Sequence, residues 1–93
     1  MDRHTLIHNK EKKRYEFHIE NITAFIEYER NKDVLSLTRT IVPKELAGRG
    51  IAKALCVAVM EEIETQGLKM KPECSYIVSF VKKYPEYQKL IGK

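Results

Sequence analysis

Thr40-Ile41-Val42-Pro43-Lys44-Glu45-Leu46-Ala47-Gly48-Arg49-Gly50-Ile51-Ala52-Lys53-Ala54-Leu55 is the stretch on which the fold turns. Before Pro43 the chain reads as strand, and after Gly48 it reads as helix. Val34 to Val42 is rich in β-branched residues (Val34, Thr38, Thr40, Ile41, Val42) and stops at a proline, which has no N–H to give a sheet. From about Gly48 to Gln66 the apolar residues Ile51, Leu55, Val59 and Ile63 recur at helical spacing, joined by Ala52, Cys56 and Met60. Lys53, Glu61, Glu64 and Thr65 form the polar side, with Val57 out of step. Gly67 falls just past the last turn, where a left-handed residue ends many helices. Leu68 to Pro72 then reads as a short strand.

Strand 34–42, helix 48–66 and strand 68–72 make a βαβ unit. Two strands joined in this way pair in parallel through a right-handed crossover. Their C-terminal ends then share one edge, which brings Val42 and the loop Pro43 to Ala47 close to Pro72, Glu73 and Cys74. The start of the long helix lies at the same edge. Ligands of open α/β sheets bind outside these carboxyl ends, so function is expected there.

Upstream, Tyr15, Phe17 and Ile19 alternate with Glu16, His18 and Glu20, the period of a strand with one buried face. Glu20-Asn21 reads as a turn. Thr23 to Arg30 continues with Ala24, Ile26 and Tyr28 on one side, and Asn31-Lys32-Asp33 is a second turn signal. A short strand at Leu6-Ile7-His8 precedes these, beyond the solvated run Lys10 to Arg14. Downstream, Ser75 stands where a helix cap is expected, followed by Tyr76, Ile77, Phe80, Val81 and Tyr84 spaced by three and four. Pro85 breaks this helix, and Pro85 to Ile91 forms a last short turn. The expected fold class is α/β (α+β): an antiparallel meander plus one βαβ unit with a parallel junction.

Ninety-three residues, 43% apolar and 32% charged, read as a single globular domain spanning 1–93. The net charge of +4 favours an anionic partner without naming it. Two cysteines, Cys56 and Cys74, are too few for a disulfide framework and are not spaced as zinc ligands, so no metal is expected. The opening MDRHTLIHNK is polar from its second residue and unlike a signal peptide, and no apolar run approaches a membrane span. By default the expected location is cytoplasmic.

The helix start is unusual. Leu46, Ala47, Gly48 and Arg49 include no Ser, Thr, Asp or Asn to cap the free N–H groups. Two cations, Arg49 and Lys53, sit where the helix dipole is already positive, at a cost of roughly 0.3–1 kcal/mol each. A bound anion relieves both features, and Gly48 and Gly50 let the backbone approach a diphosphate closely. The plainer alternative is that Gly48 is itself the cap and the cations are solvated.

The same stretch resembles the acyl-CoA-binding motif of the GNAT-type N-acetyltransferases, Q/R-x-x-G-x-G/A, with Gly50 and Ala52 matching its second half and Ala47 in place of the leading Gln or Arg. V-P-x-E-L-x-G-R-G-I-A, followed by P-x-C-S-Y and Y-P-E-Y, is similar to the very short stand-alone GNAT-like proteins, from roughly Tyr15 to Leu90. That short family often carries an acidic residue where Ile41 stands, so one candidate general base is missing. The resemblance implies a minimal GNAT-like fold whose strand before the motif splays from the next parallel strand. It further implies acetyl-CoA or coenzyme A as co-substrate. Thr40, Ile41 and Val42 would line the pantetheine, and the amides of Gly48, Arg49, Gly50, Ile51, Ala52 and Lys53 would hold the diphosphate. Lys53, Lys82 or Lys83 would reach phosphate or adenosine.

Acyl transfer from a thioester needs a nucleophile, a route for its proton and donors for the developing oxyanion. Cys74 follows the second parallel strand and sits near a helix start, where a thiol pKa falls and the thiolate is enriched. Two roles stand for it: the nucleophile of an acyl-cysteine intermediate, or a small apolar residue packed beside the coenzyme. Cys56 reads as core and His18 as solvated. Tyr76, Tyr84 and Tyr87 are candidate acids, although Tyr76 and Tyr84 fit the helix's packing face. The expected activity is transfer of an acyl group to an amine, on a small molecule or a protein lysine. The alternatives are coenzyme A binding without catalysis, or a basic sheet stacking single-stranded nucleic acid on Phe25, Tyr15 or Tyr28. The burial pattern of those aromatics argues against the last.

Overall fold

The structure, a computed structural model, describes residues 4–92; the first three residues of the polar opening and Lys93 lie outside the described residues. Five strands form one sheet in the order of the chain: β1 (Ile7–Asn9), β2 (Arg14–Ile19), β3 (Ile22–Asn31), β4 (Val34–Ile41) and β5 (Lys69–Pro72). The first four pair antiparallel, and β5 joins β4 in parallel. Between them lie a 3-10 turn (Lys44–Leu46) and α1 (Ile51–Thr65); α2 (Ser75–Lys83) and a 3-10 segment (Pro85–Leu90) follow. The meander and the βαβ unit are as the residue periods predict. A further parallel bridge joins Ile91 to Met70, with the Gly92 N–H donating to the Met70 carbonyl at 2.9 Å.

One face of the sheet carries the core. Tyr15, Phe17, Ala24, Ile26, Leu35, Leu37 and Met70 are buried with Leu55, Val59, Met60 and Ile63 of α1 and Ile77, Phe80 and Val81 of α2. Residues alternating with the strand positions point away from this core. Along β2 these are Arg14, Glu16 and His18, and opposite them lie Phe25 and Glu27 of β3 and Arg39 of β4. This second face satisfies itself. Glu16, only 3% exposed, accepts from Asn9 Nδ2 (3.1 Å) and Arg14 Nε (2.9 Å) and lies 2.7 Å from His18 Nε2. The Arg14 guanidinium covers the Phe25 ring at 4.0 Å. Tyr15 and Tyr28 are buried in the core. The aromatic platform that stacked nucleic-acid bases require is thus absent among the described residues of this sheet.

Two local features separate β4 from β5. Their pairing runs from Val34↔Lys69 to Leu37↔Pro72 and stops there, while β4 continues on β3 to Ile41. At the same point Thr38 is the extra residue of a bulge against Glu27, its hydroxyl donating to the Glu27 carbonyl at 3.3 Å. Bulges bend the strand that holds them, and Pro72 brings no N–H to the ladder. The Leu37 carbonyl closes the fork by accepting from the amides of both Glu73 (3.2 Å) and Cys74 (3.0 Å). Beyond it the ladder ends, and β4 runs on alone on this side to Ile41.

Candidate functional site

The long helix begins at the first residue of its apolar period, later than the expected start at about Gly48. Gly48 and Gly50 both hold left-handed backbone, at φ 77° and 71°, and the helical run starts at Ile51 rather than Gly48. L-residues resist that conformation, so glycine at these positions lets the chain turn sharply out of the loop and into the helix. A side-chain carbon added at either glycine would meet nothing within 4 Å, so neither is dictated by packing and both face open space. No side chain caps α1. The first rung of its ladder is the Ala54 N–H donating to the Gly50 carbonyl at 3.0 Å, which leaves the amides of Ile51, Ala52 and Lys53 ahead of it.

These amides open on a cleft of about 310 Å³ walled by Val42, Ala47, Gly48, Gly50, Ala52, Lys53 and Tyr76. A second hollow of about 200 Å³ shares Lys53 and Tyr76 with it and adds Ser79, Phe80, Lys83 and Tyr84. Lys53 Nζ lies 5.0 Å and Lys83 Nζ 5.7 Å from the centre of the Tyr84 ring, so both cations converge on one wall. Lys82 lines neither hollow.

The residues singled out in the sequence therefore separate. Val42, Gly48, Gly50, Ile51, Ala52 and Lys53 come together in the cleft, and Lys83 adjoins it. Thr40 sits at the fork, beside Cys74. Ile41 pairs with Phe25 and shares its face, on the side of the sheet away from the core. Arg49 turns from the cleft: its Nη2 and Nη1 reach the Glu20 carboxylate at 3.0 and 3.4 Å. The cation beside the helix start thus already has a counter-charge, and one of the two charge arguments for an anion there is met within the protein.

Cys74, not Ser75, is the N-cap residue of α2. Its thiol donates to Thr40 Oγ1 at 3.5 Å, joining the head of α2 to β4 beyond the end of the β4–β5 ladder. Burial pushes the thiol up, but the Thr40 hydroxyl and the backbone amides of Ile77, Tyr76 and Thr40 outweigh this and hold Cys74 below the ordinary value of 9.0. Cys56 is the contrast: buried in α1, it is pushed up to about 12, first by desolvation and then by Cys74.

The packing reading of Tyr76 does not hold. Its helix buries Ile77, Phe80 and Val81, while Tyr76 is 38% exposed and walls both hollows. Burial, then Cys56 and Tyr84, raise its phenol above the ordinary value of 10.0, so it carries its proton at neutral pH. Its place beside the cleft was detectable only as a tyrosine in the first turn after Cys74, at the margin of the apolar arc. Glu20 was missed entirely, since an acid in a hairpin turn ordinarily means solvent.

Among the described residues, no three His, Cys, Asp or Glu side chains gather as a metal site, and no helix is long and apolar enough to cross a membrane.

The fold and sequence have known counterparts. The solution NMR structure of a GCN5-like protein from Staphylococcus aureus superposes with a TM-score of 0.73 at 24% identity, over 99% of this chain and 91% of that one. Protein NATD1 of Xenopus tropicalis is 41% identical over 54 residues, 58% of this chain and 50% of its own length. Protein NATD1 of Danio rerio is 41% identical over 59 residues, 63% of this chain and 54% of its own. The chain thus spans about half the length of these curated relatives. A family model described as GCN5-related N-acetyl-transferase matches residues 14–90, from the start of β2 to the end of the last 3-10 segment, and the chain belongs to that family.

Proposed function

We propose that this protein binds acetyl-CoA, or a close acyl relative, and transfers the acyl group to an amine. The observation that carries the reading is the coincidence of three features at one edge: the fork beyond Leu37, the uncapped start of α1 and the activated thiol of Cys74. In this reading the amides of Ile51, Ala52 and Lys53, with the glycine turn before them, receive the diphosphate. The β4 backbone from Thr40 to Val42 borders the pantetheine arm, with Ile41 contributing main chain only. Lys53 and Lys83 supply positive charge along the second hollow.

Two chemical routes use these residues. An unprotonated acceptor amine attacks the thioester carbonyl directly, Tyr76 gives its proton to the departing thiolate, and the proton that the new amide nitrogen sheds returns to Tyr76. Alternatively the Cys74 thiolate attacks first, the coenzyme thiolate leaves with the Tyr76 proton, and the amine then displaces Cys74 while its own proton returns to Tyr76. The lowered thiol favours the second route, because it enriches the thiolate that attacks, while the raised phenol keeps the proton that either route gives to the departing thiolate. Both hollows open to solvent, which suits an extended amine or a lysine of another protein better than a small enclosed acceptor.

Titration with acetyl-CoA, followed by amide chemical shifts, tests binding. Shifts should concentrate on residues 48–53 and 40–42, and inorganic phosphate at equal charge should do much less. Equal responses to both, or shifts confined to the opposite end of the sheet, would refute the cofactor assignment. Release of free coenzyme thiol in the presence of a lysine peptide or polyamine separates turnover from binding alone.

A further inference from the structure

Glu20 lies far from the cleft in sequence yet contacts its loop. It occupies the two-residue turn between β2 and β3, which closes on the pair Ile19↔Ile22. Glu20 and Asn21 hold φ of 53° and 65°, as a hairpin turn of this length and twist requires. Asparagine tolerates that conformation, and glycine prefers it. A glutamate does not, so the turn is strained at its first position. The same residue sends its carboxylate across to Arg49, the residue between the two left-handed glycines, and meets both terminal guanidinium nitrogens at 3.0 and 3.4 Å. The guanidinium in turn holds the Glu20 carboxyl below its ordinary value.

A loop with Gly48 and Gly50 on either side of Arg49 has wide conformational freedom, and fixing it on a ligand costs entropy. A fork-to-fork contact restrains both the backbone and the direction of the guanidinium before any ligand arrives. We infer that Glu20 is a positioning residue for the diphosphate loop, retained in a strained turn because its clasp on Arg49 presets the glycine turn at the head of α1. The inference rests on the coenzyme-binding reading above and adds a residue outside the cleft to it.

Strain and clasp make opposite demands, and a substitution separates them. Glu20→Gly relieves the turn and removes the clasp. The thermal midpoint should be no lower than wild type, while the dissociation constant for coenzyme A, read by titration calorimetry, should rise about threefold to fivefold, the scale of an exposed ion pair. In an Arg49→Ala background the same change should have no further effect on affinity. Equal affinity in wild type and Glu20→Gly overturns the inference. So does tighter binding, which would make Glu20 a competitor of the ligand, and so does a loss of affinity that merely follows a fall in melting temperature. If the wild-type protein itself gives no heat with coenzyme A, the binding reading fails first and the inference falls with it, a result distinct from a wild type that binds and a variant that binds equally well.

Discussion

Cys74 Sγ stands 3.5 Å from Thr40 Oγ1, joining the residue at the head of α2 to the strand that β5 has just left. The contact spans the fork that the Thr38 bulge and Pro72 create, so backbone geometry rather than sequence proximity sets the chemistry of the thiol. Burial alone would make Cys74 inert, as it does Cys56.

Cysteine alkylation should therefore distinguish the two thiols. Iodoacetamide should modify Cys74 with a pH profile whose midpoint lies below 9.0, and should leave Cys56 untouched until the protein unfolds. Thr40→Val removes the hydroxyl and should move that midpoint upward without opening the fold. A midpoint at or above the ordinary thiol value would mean that Cys74 is packing. Mass spectrometry of the alkylated peptides reads both outcomes.

Tyr76 should behave as the proton donor to the departing thiolate. Tyr76→Phe keeps the ring that walls the two hollows and removes only the hydroxyl. Loss of a positioned general acid lowers turnover by about 10²-fold or more. Affinity for coenzyme A should change little. Steady-state rates with acetyl-CoA varied against a lysine peptide give both numbers, and an unchanged turnover would remove Tyr76 from the chemistry.

The sequence was most legible where period and punctuation agree. Tyr15, Phe17 and Ile19 give β2 its buried face, Pro43 and Gly67 bracket the connection, and Ile51 to Ile63 give α1 its stripe. The apolar period begins at Ile51, as α1 does, and the expectation of helix from about Gly48 reaches too far back, because Gly48 and Gly50 adopt positive φ and φ is not written in hydrophobicity. Ser75 attracted the cap assignment by residue type, yet Cys74 took it because the Leu37 carbonyl pins the Cys74 amide at the fork. The register of β4 on β5 and the Thr38 bulge decide which side chains meet in the site. The first joins segments on either side of α1, and the second is a local slip in the β3–β4 hairpin that no residue type marks, so Glu20–Arg49 and Thr40–Cys74 stay invisible until the chain is folded.

Gly50 lends itself to two graded substitutions. Gly50→Ala adds a methyl group into open space, so its cost is the left-handed backbone alone, roughly 1–2 kcal/mol. For a domain of this size that corresponds to a fall in melting temperature of about 4–8 °C for each kcal/mol. Gly50→Glu should cost similar stability and in addition abolish the coenzyme response, since it sets a carboxylate at the head of α1, where the diphosphate is proposed to lie. Thermal melts with and without millimolar coenzyme A separate these effects. A ligand-induced rise retained in Gly50→Glu would place the anion elsewhere.

Glu16 makes a prediction about acid stability that does not involve the cleft. Its carboxylate is buried on the helix-free face, where burial raises its pKa but His18, Arg14 and Asn9 lower it further, leaving it below the ordinary value of 4.5. A folded-state carboxyl held below its unfolded value contributes stability that is complete above about pH 4.5 and is lost as pH falls through the folded value. Glu16→Gln keeps the shape but gives up the ion pair with Arg14 at 2.8 Å, and should cost about 1–3 kcal/mol at neutral pH. The gap between wild type and variant should stay flat down to about pH 4.5 and narrow below it. Urea denaturation at several pH values measures that gap. A gap that widens in acid would mean that the carboxyl is protonated in the native state and that the three donors do not hold it as a charge.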